Sequence, residues 1–458
     1  MTHYHFIGIG GTGLSPIAQI LLEQGHTISG SDMALSPLAE ELRRKGVRVS
    51  IGHDARNVAG ADVVIRSSAI KDDNIEVLAA RRANLPVLKR SDFLGELTSG
   101  RKVLAVAGTH GKTTTTSMMA WVLTHLGNDP SYIIGGVSKN LNSNAHCGQG
   151  EFFVIEADEY DGMFLGLKPF LLIITNIEHD HPDFYPTMQE YQAAFHKLVH
   201  LIPEGGTLLT FDEDTNAKHL LVDIPKGVST YTFGFSQSAN FRAENIHHVE
   251  NLGVGFTANL MDEKIIEEIQ LKVPGRHNAI NALSVLAATD LLKMPMESCK
   301  KALEEFVGTG RRFDILGIAD QVTIINDYAH HPTEIQATLA AARQQYIDHS
   351  ITVIWQPHTY SRTLTLMNGF IHAFHDCDHV IVTEIYQSRE PKRDISSADI
   401  APKIHHQDVK FMAGFQSIVD HLSHSLKPGD VLIVLSAGDA DQISSQVLDR
   451  LKQRGGAE

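Results

Sequence analysis

Two glycine-rich segments carry the residue types that handle phosphates. The second of them is Gly108-Thr109-His110-Gly111-Lys112-Thr113-Thr114, between an apolar run, Val103 to Ala107, and a stretch with helical character. Backbone N–H groups of such a turn can cradle phosphate oxygens, the Lys112 ammonium can meet a phosphoryl group in transfer, and the Thr113 hydroxyl can reach Mg²⁺. It is a shortened Walker-type loop, with two residues between the glycines instead of four. The first segment is Gly8-Ile9-Gly10-Gly11-Thr12-Gly13, which fits G-x-G-x-x-G and is followed 19 residues past Gly13 by Asp32. Glycines there allow close approach of a pyrophosphate, and an acidic residue at that distance can take a ribose hydroxyl.

Acidic and basic residues then recur at the ends of apolar runs. Glu156-Ala157-Asp158-Glu159 ends Phe152 to Glu156, and Asn176-Ile177-Glu178-His179-Asp180-His181 ends Leu171 to Thr175. Ligands bind at that edge of an open parallel sheet, and oxygen donors there suit Mg²⁺. Gly310-Arg311-Arg312 and Pro357 to Thr363, which contains Arg362, offer cations for charge that develops during phosphoryl transfer. Of three adjacent histidine pairs, His247-His248 and His405-His406 read as solvated. His330-His331 follows Asn326-Asp327-Tyr328 and precedes Pro332, a good first helical residue, so a histidine there can orient a substrate or accept a proton.

The elements that must position these groups read as an alternation of short apolar runs and helices. Over the first ~100 residues the rhythm is that of βαβ units and a parallel sheet. A second start comes at Lys102 and a third near Arg312, with strands expected at Val322 to Asn326, Ile351 to Trp355, Val380 to Glu384 and Val431 to Leu435. Between Gly205 and Val273 the runs Thr207 to Phe211, Ser229 to Phe233 and Val254 to Ala258 suggest an added antiparallel portion.

Composition narrows the partners. Lys and Arg total 39 and Asp and Glu 54, a formal charge of −15. That balance disfavours nucleic acid and anionic membranes. Three cysteines are too few for a disulfide framework. No apolar run has the ~20 residues needed to span a bilayer. A cytoplasmic protein acting on small molecules is expected. A hydride-transfer enzyme would explain the first turn and Asp32 but leave Lys112 and Arg312 without a task. A non-catalytic nucleotide-binding regulator is the other alternative.

Taken together, the chain resembles the Mur ligase family over nearly its whole length. The carriers are Gly108 to Thr114, Glu156 to Glu159, Thr175 to Glu178 with Asp180-His181, Pro274-Gly275-Arg276-His277-Asn278 with Asn281, Gly310 to Arg312, and Asn326 to Glu334. The Gln356 to Thr363 segment and the first glycine turn are similar to the branch that attaches L-alanine to UDP-N-acetylmuramate. A sibling branch attaches a recycled tripeptide to the same nucleotide and ranks second. Thr12 and Tyr160 stand where Ala and Ser are common.

The resemblance implies an α/β protein of three domains in the Mur ligase arrangement. These are a Rossmann-like UDP-sugar domain at 1–100, a central P-loop-type ATPase domain with added antiparallel strands at 101–310, and a Rossmann-like amino-acid domain at 311–458. It implies an ADP-forming, ATP- and Mg²⁺-dependent amide ligase that works through an acyl phosphate in peptidoglycan precursor synthesis, as a monomer or weak homodimer. ATP would be met by Gly108, Thr109, His110, Gly111, Lys112, Thr113, Thr114, Asn176, His277, Asn278, Asn281, Arg312 and Asp327. Mg²⁺ would be met by Thr113, Glu156 and His181. The UDP-sugar would be met by Gly8, Gly10, Gly11, Gly13, Asp32 and Ser68, and the amino acid by Tyr328 and His330. Lys112, His330, Arg312 and Arg362 would carry catalysis.

Overall fold

Three sheets follow one another along the chain in the computed structural model, which describes residues 1–250, 252–388 and 390–455. The first sheet is all parallel. Its strands are β1 (His3–Ile7), β2 (Thr27–Asp32), β3 (Arg48–Ile51), β4 (Val63–Arg66) and β5 (Val87–Lys89), in the order 3-2-1-4-5. The order reverses beside β1, so the turn after β1 lies at the switch point where such sheets bind ligands.

The second sheet has ten strands: β6 (Lys102–Ala107), β7 (Ser131–Ser138), β8 (Ser143–His146), β9 (Phe152–Glu156), β10 (Leu171–Ile174), β11 (Thr207–Phe211), β12 (Ser229–Gly234), β13 (Phe241–Val249), β14 (Gly253–Asn259) and β15 (Ile265–Leu271). Strands β9, β6 and β10 lie side by side and parallel, buried on both faces, which is why they read as unbroken apolar runs. The expected antiparallel portion begins later than the sequence suggests. Strands β11 and β12 continue the parallel sheet, and the antiparallel portion there is the β13–β14–β15 meander. Strand composition does not encode direction, because the partner's direction is set by the chain between strands. A second antiparallel pair, β7–β8, gave no sequence signal. Two helices, Arg276–Leu291 and Met296–Glu304, complete this unit.

The third sheet comprises β16 (Asp314–Ala319), β17 (Val322–Asp327), β18 (Ile351–Trp355), β19 (His379–Val382), β20 (Val409–Phe411) and β21 (Val431–Leu435), in the order 16-17-21-18-19-20. It is parallel except for β16, which pairs antiparallel with β17. The helix Pro332–Gln345 begins at the expected proline, with Glu334 at its third position accepting from the N–H groups of His330 and His331.

The joints between units differ in kind. Apolar packing runs without a break from the first unit into the second, where Phe93, Leu94 and Leu97 share one core with Phe164 and Leu167. The third unit buries its own cores on the two faces of its sheet. Polar pairs tie it to the second unit: Arg362 to Asp180 at 2.7 Å, Thr333 to Glu178 at 2.6 Å, and Lys139 to Asp314. Polar joints of this kind permit domain motion. No helix among the described residues is long and apolar enough to cross a membrane.

Candidate active site

The Lys112 turn is fastened to the end of β10. The N–H of Thr109 donates to the Asn176 carbonyl at 2.9 Å, the N–H of His110 to Asn176 Oδ1 at 2.9 Å, and Thr175 Oγ1 to the His110 carbonyl at 2.6 Å. Gly108 has φ +131°, and a Cβ there would lie 2.1 Å from Thr175 Oγ1, so the close approach requires glycine. The helix Lys112–His125 starts at once after Gly111, aiming its free N–H groups into the turn.

Lys112 Nζ donates to the carbonyls of Gly108 and Thr109 and to the Glu159 carboxylate, at 2.6, 3.1 and 2.9 Å. Glu159 is fully buried and also accepts from the Tyr191 hydroxyl at 3.1 Å. Burial opposes the Lys112 charge, but Glu159, Asp158 and Glu156 outweigh it and raise its pKa. Burial likewise works against ionised Glu159, yet Lys112 and His181 hold its carboxyl down to about 2. Glu156 differs: burial prevails and raises its pKa. Its Oε1 accepts from Thr113 Oγ1 at 3.0 Å and its Oε2 from the Gly135 N–H at 2.7 Å.

The three residues expected at the metal thus divide. Thr113 and Glu156 are in contact, whereas His181 Nε2 lies against Glu159 and Asp180, at 3.5 and 3.6 Å. A hydroxyl beside a carboxylate whose proton affinity is raised is an oxygen donor set that suits Mg²⁺. Glu159, Asp180 and His181 form a second group with ligand atoms close enough to share a cation.

A cavity of about 480 Å³ opens beside the turn. Gly111, Thr114, Asn176, His277, Asn278 and Asn281 line it from the second unit, and Arg312, Asp327 and Glu334 from the third. Arg276 lies over the Phe235 ring at 3.9 Å on its wall. Part of this lining is already engaged: Asn278 donates to the Pro274 carbonyl, Asn281 to Asn278, and Asn176 holds the turn. Burial lowers His277 to about 4 and raises Asp327 to about 6. Asp327 accepts from the N–H groups of Phe313 and Ala329 at 2.8 and 2.7 Å.

From the third unit, Arg312 Nη2 reaches Thr113 Oγ1 at 3.4 Å, with its guanidinium over the Tyr328 ring. Arg362 is buried and donates to Asp180 Oδ1 and to the His358 carbonyl, both at 2.7 Å. His330 packs edge-on to Tyr328 and His358. Its Nδ1 lies 2.8 Å from the Tyr328 carbonyl, which assigns the proton to Nδ1 and leaves Nε2 as the acceptor. Burial lowers its pKa to about 4.

The sequence offered Glu178 and Asp180 only as part of a strand-end group of oxygen donors for Mg²⁺ and left Glu334 without a specific role. They are the acids to which cations and hydroxyls of the facing unit dock. His110 sits between two of them, Nε2 3.6 Å from Glu178 and Nδ1 3.2 Å from Glu334, with the His331 ring 4.6 Å away. Burial opposes its charge, but the two carboxylates prevail and raise it to about 9. A raised histidine stabilises the fold fully below its unfolded value, near 6.5, and that contribution disappears as pH rises through about 9. Two and a half units correspond to on the order of 3 kcal/mol. The melting temperature is therefore expected to fall more steeply from pH 6.5 to 9 in the wild type than in His110→Gln. Parallel curves would remove the ionic role of His110.

At the first turn, Asp32 Oδ2 accepts from the Gly10 N–H at 2.8 Å, and Ser36 Oγ donates to the Gly10 carbonyl. Asp32, expected at a ribose hydroxyl, here holds the turn itself. A Cβ on Gly8 would meet Ser67 at 3.1 Å, which brings the Ser67–Ser68 bend against Gly8. Gly11 lies in the tight bend after Gly8. Gly13 faces Arg90, a residue the sequence reading missed because no motif marks it.

Comparison with known proteins gives matches along all three units. Residues 3–102 match the model of the Mur ligase family catalytic domain, 106–289 the Mur ligase middle domain, and 311–438 the Mur ligase glutamate ligase domain. The chain is 40% identical over 453 residues to a UDP-N-acetylmuramate–L-alanine ligase of Geotalea daltonii, covering 98% of each, and 38% identical to one of Caldanaerobacter subterraneus over the same shares. The solved UDP-N-acetylmuramate-alanine ligase of Thermotoga maritima superposes with a TM-score of 0.85 at 30% identity, covering 99% of this chain and 100% of that one. A murein peptide ligase of Psychrobacter arcticus gives 0.77 at 27%, covering 99% of each. The chain belongs to the Mur ligase family.

Proposed function

We propose that this protein joins L-alanine to the carboxylate of UDP-N-acetylmuramate at the expense of ATP, with release of ADP and phosphate. The observation that carries the chemistry is the meeting of two units around the Lys112 turn: Arg312 lines the ligand-sized cavity and reaches Thr113, and Arg362 is joined to Lys112 through Asp180, His181 and Glu159. The full-length relatives named for L-alanine favour that amino acid over a tripeptide.

A carboxylate resists amide formation because oxide is a poor leaving group. Transfer of the ATP γ-phosphoryl to the lactyl carboxylate gives an acyl phosphate. The neutral amine then attacks the carbonyl, and phosphate leaves from the tetrahedral intermediate. Lys112 and Arg312 offset charge on the phosphoryl oxygens as it moves. The Phe235–Arg276 wall suits a planar base. Thr113 and Glu156 would hold Mg²⁺, which supplies charge neutralisation when bound. His330 is held neutral by burial, so its Nε2 would accept a hydrogen bond from the incoming amine and orient it for attack. Arg362 would meet the carboxylate that reacts, and docking of the third unit over the turn would exclude water from the acyl phosphate.

ATP-dependent phosphate release with UDP-N-acetylmuramate tests the reading against a panel of amino acids and the tripeptide. Release with L-alanine is expected. Release that requires the tripeptide would move the protein to the sibling branch, and release needing neither would overturn the ligase reading.

A further inference from the structure

Arg90 opens the helix Arg90–Leu97 directly after β5 and folds its guanidinium onto the first glycine turn. A Cβ on Gly13 would lie 2.8 Å from Arg90 Nη1 and 3.4 Å from Cζ, so the absent side chain is what admits the cation. Only 11% of the Arg90 side chain is exposed. Its partners are poor for a cation so enclosed. They are the Met163 sulfur at 3.3 Å and an Asp158 carboxylate at 3.7 Å, and among the described residues Nε has no hydrogen-bond partner. A guanidinium carries five N–H donors in a fixed fork, and burying them unpaired is costly. An arrangement this under-satisfied is complete only when an oxyanion enters.

The position says which oxyanion. The guanidinium is bounded on one side by Gly13, at the start of the Ser15–Glu23 helix, and on the other by Asp158 and Met163 of the second unit. It therefore stands over the turn read as approaching a pyrophosphate, on the side where the second unit packs. Fork-shaped donors match phosphate oxygens two at a time.

We propose that Arg90 binds the pyrophosphate of the uridine nucleotide seated on the Gly8–Gly13 turn. The assignment rests on the reading of that turn as the UDP-sugar site. Asp158 keeps the guanidinium in place without consuming its donors.

The test compares wild type, Arg90→Ala and Arg90→Lys. It measures dissociation constants for UDP alone and for UDP-N-acetylmuramate, KM for ATP, and the thermal midpoint. Loss of a charge-assisted contact predicts ~10- to 100-fold weaker binding of both nucleotides by Arg90→Ala. Arg90→Lys should fall in between, with KM for ATP unchanged. Equal affinities in wild type and Arg90→Ala would overturn the assignment. So would a loss confined to UDP-N-acetylmuramate, which would give Arg90 to the sugar acid. A parallel rise in KM for ATP would show a structural role at the joint instead, and would also overturn it. Wild type that binds neither nucleotide would overturn the reading of the turn and Arg90 with it; wild type that binds both leaves the turn intact whatever Arg90→Ala does.

Discussion

Lys112→Ala is expected to lower kcat by at least ~10²-fold at saturating ATP, the scale of removing one preorganised charge partner from a transition state. The structure adds a second consequence. Glu159 is fully buried, and its charge is held by Lys112. Removing the ammonium leaves that carboxylate buried without its main cation, which costs about 3–5 kcal/mol. The two effects separate in the double variant. Lys112→Ala with Glu159→Gln should recover most of the lost stability, read as a urea midpoint, while kcat stays low. Recovery of turnover along with stability would mean that Lys112 acts only as a structural partner of Glu159. Near-normal kcat in the single variant would remove the phosphoryl-transfer assignment altogether.

The second large effect is expected at Asp180→Ala. Asp180 and Arg362 form a buried ion pair across the joint between the second and third units, and burial of the acid is outweighed by Arg362, so its carboxyl titrates well below the usual range. Breaking a buried pair from one side costs about 3–5 kcal/mol because the other charge is stranded. The pair crosses a joint, so the cost falls mainly on the docked arrangement. A loss of ~3 kcal/mol there lowers the ratio of docked to undocked protein by about 10²-fold, and turnover falls with the docked fraction. The second unit's own fold is largely spared, and the third unit becomes more accessible to protease at the joint. In the wild type the pair's contribution is present above the unfolded value of the acid and disappears as pH falls through the depressed folded value. A variant with wild-type kcat and an unchanged proteolysis pattern would contradict the docking role.

The three acids that dock the third unit show where sequence reading stops. Glu178 ends an apolar strand and Glu334 sits three residues into a helix opened by Pro332, so each element was legible. That His110 lies between their carboxylates was not, because the three come from a turn, a strand end and another unit. Strand direction was equally hidden. Ser229–Gly234 has the β-branched and aromatic content of an antiparallel strand, yet pairs parallel with Thr207–Phe211. Arg90 carried no signal at all, since a lone arginine after a three-residue strand resembles any surface cation.

The sequence by itself determined the two glycine turns, the acidic strand ends, the helix that starts at Pro332 and the family, because each is encoded by residue types at short, fixed spacing. Tertiary structure alone decided that Glu159 holds Lys112, that Asp32 holds its own glycine turn, that His181 leans on Glu159 and not Glu156, and that polar pairs close the third unit over the site. Those facts depend on which distant residues share a buried space, and burial is a property of the packed chain that spacing along it does not record.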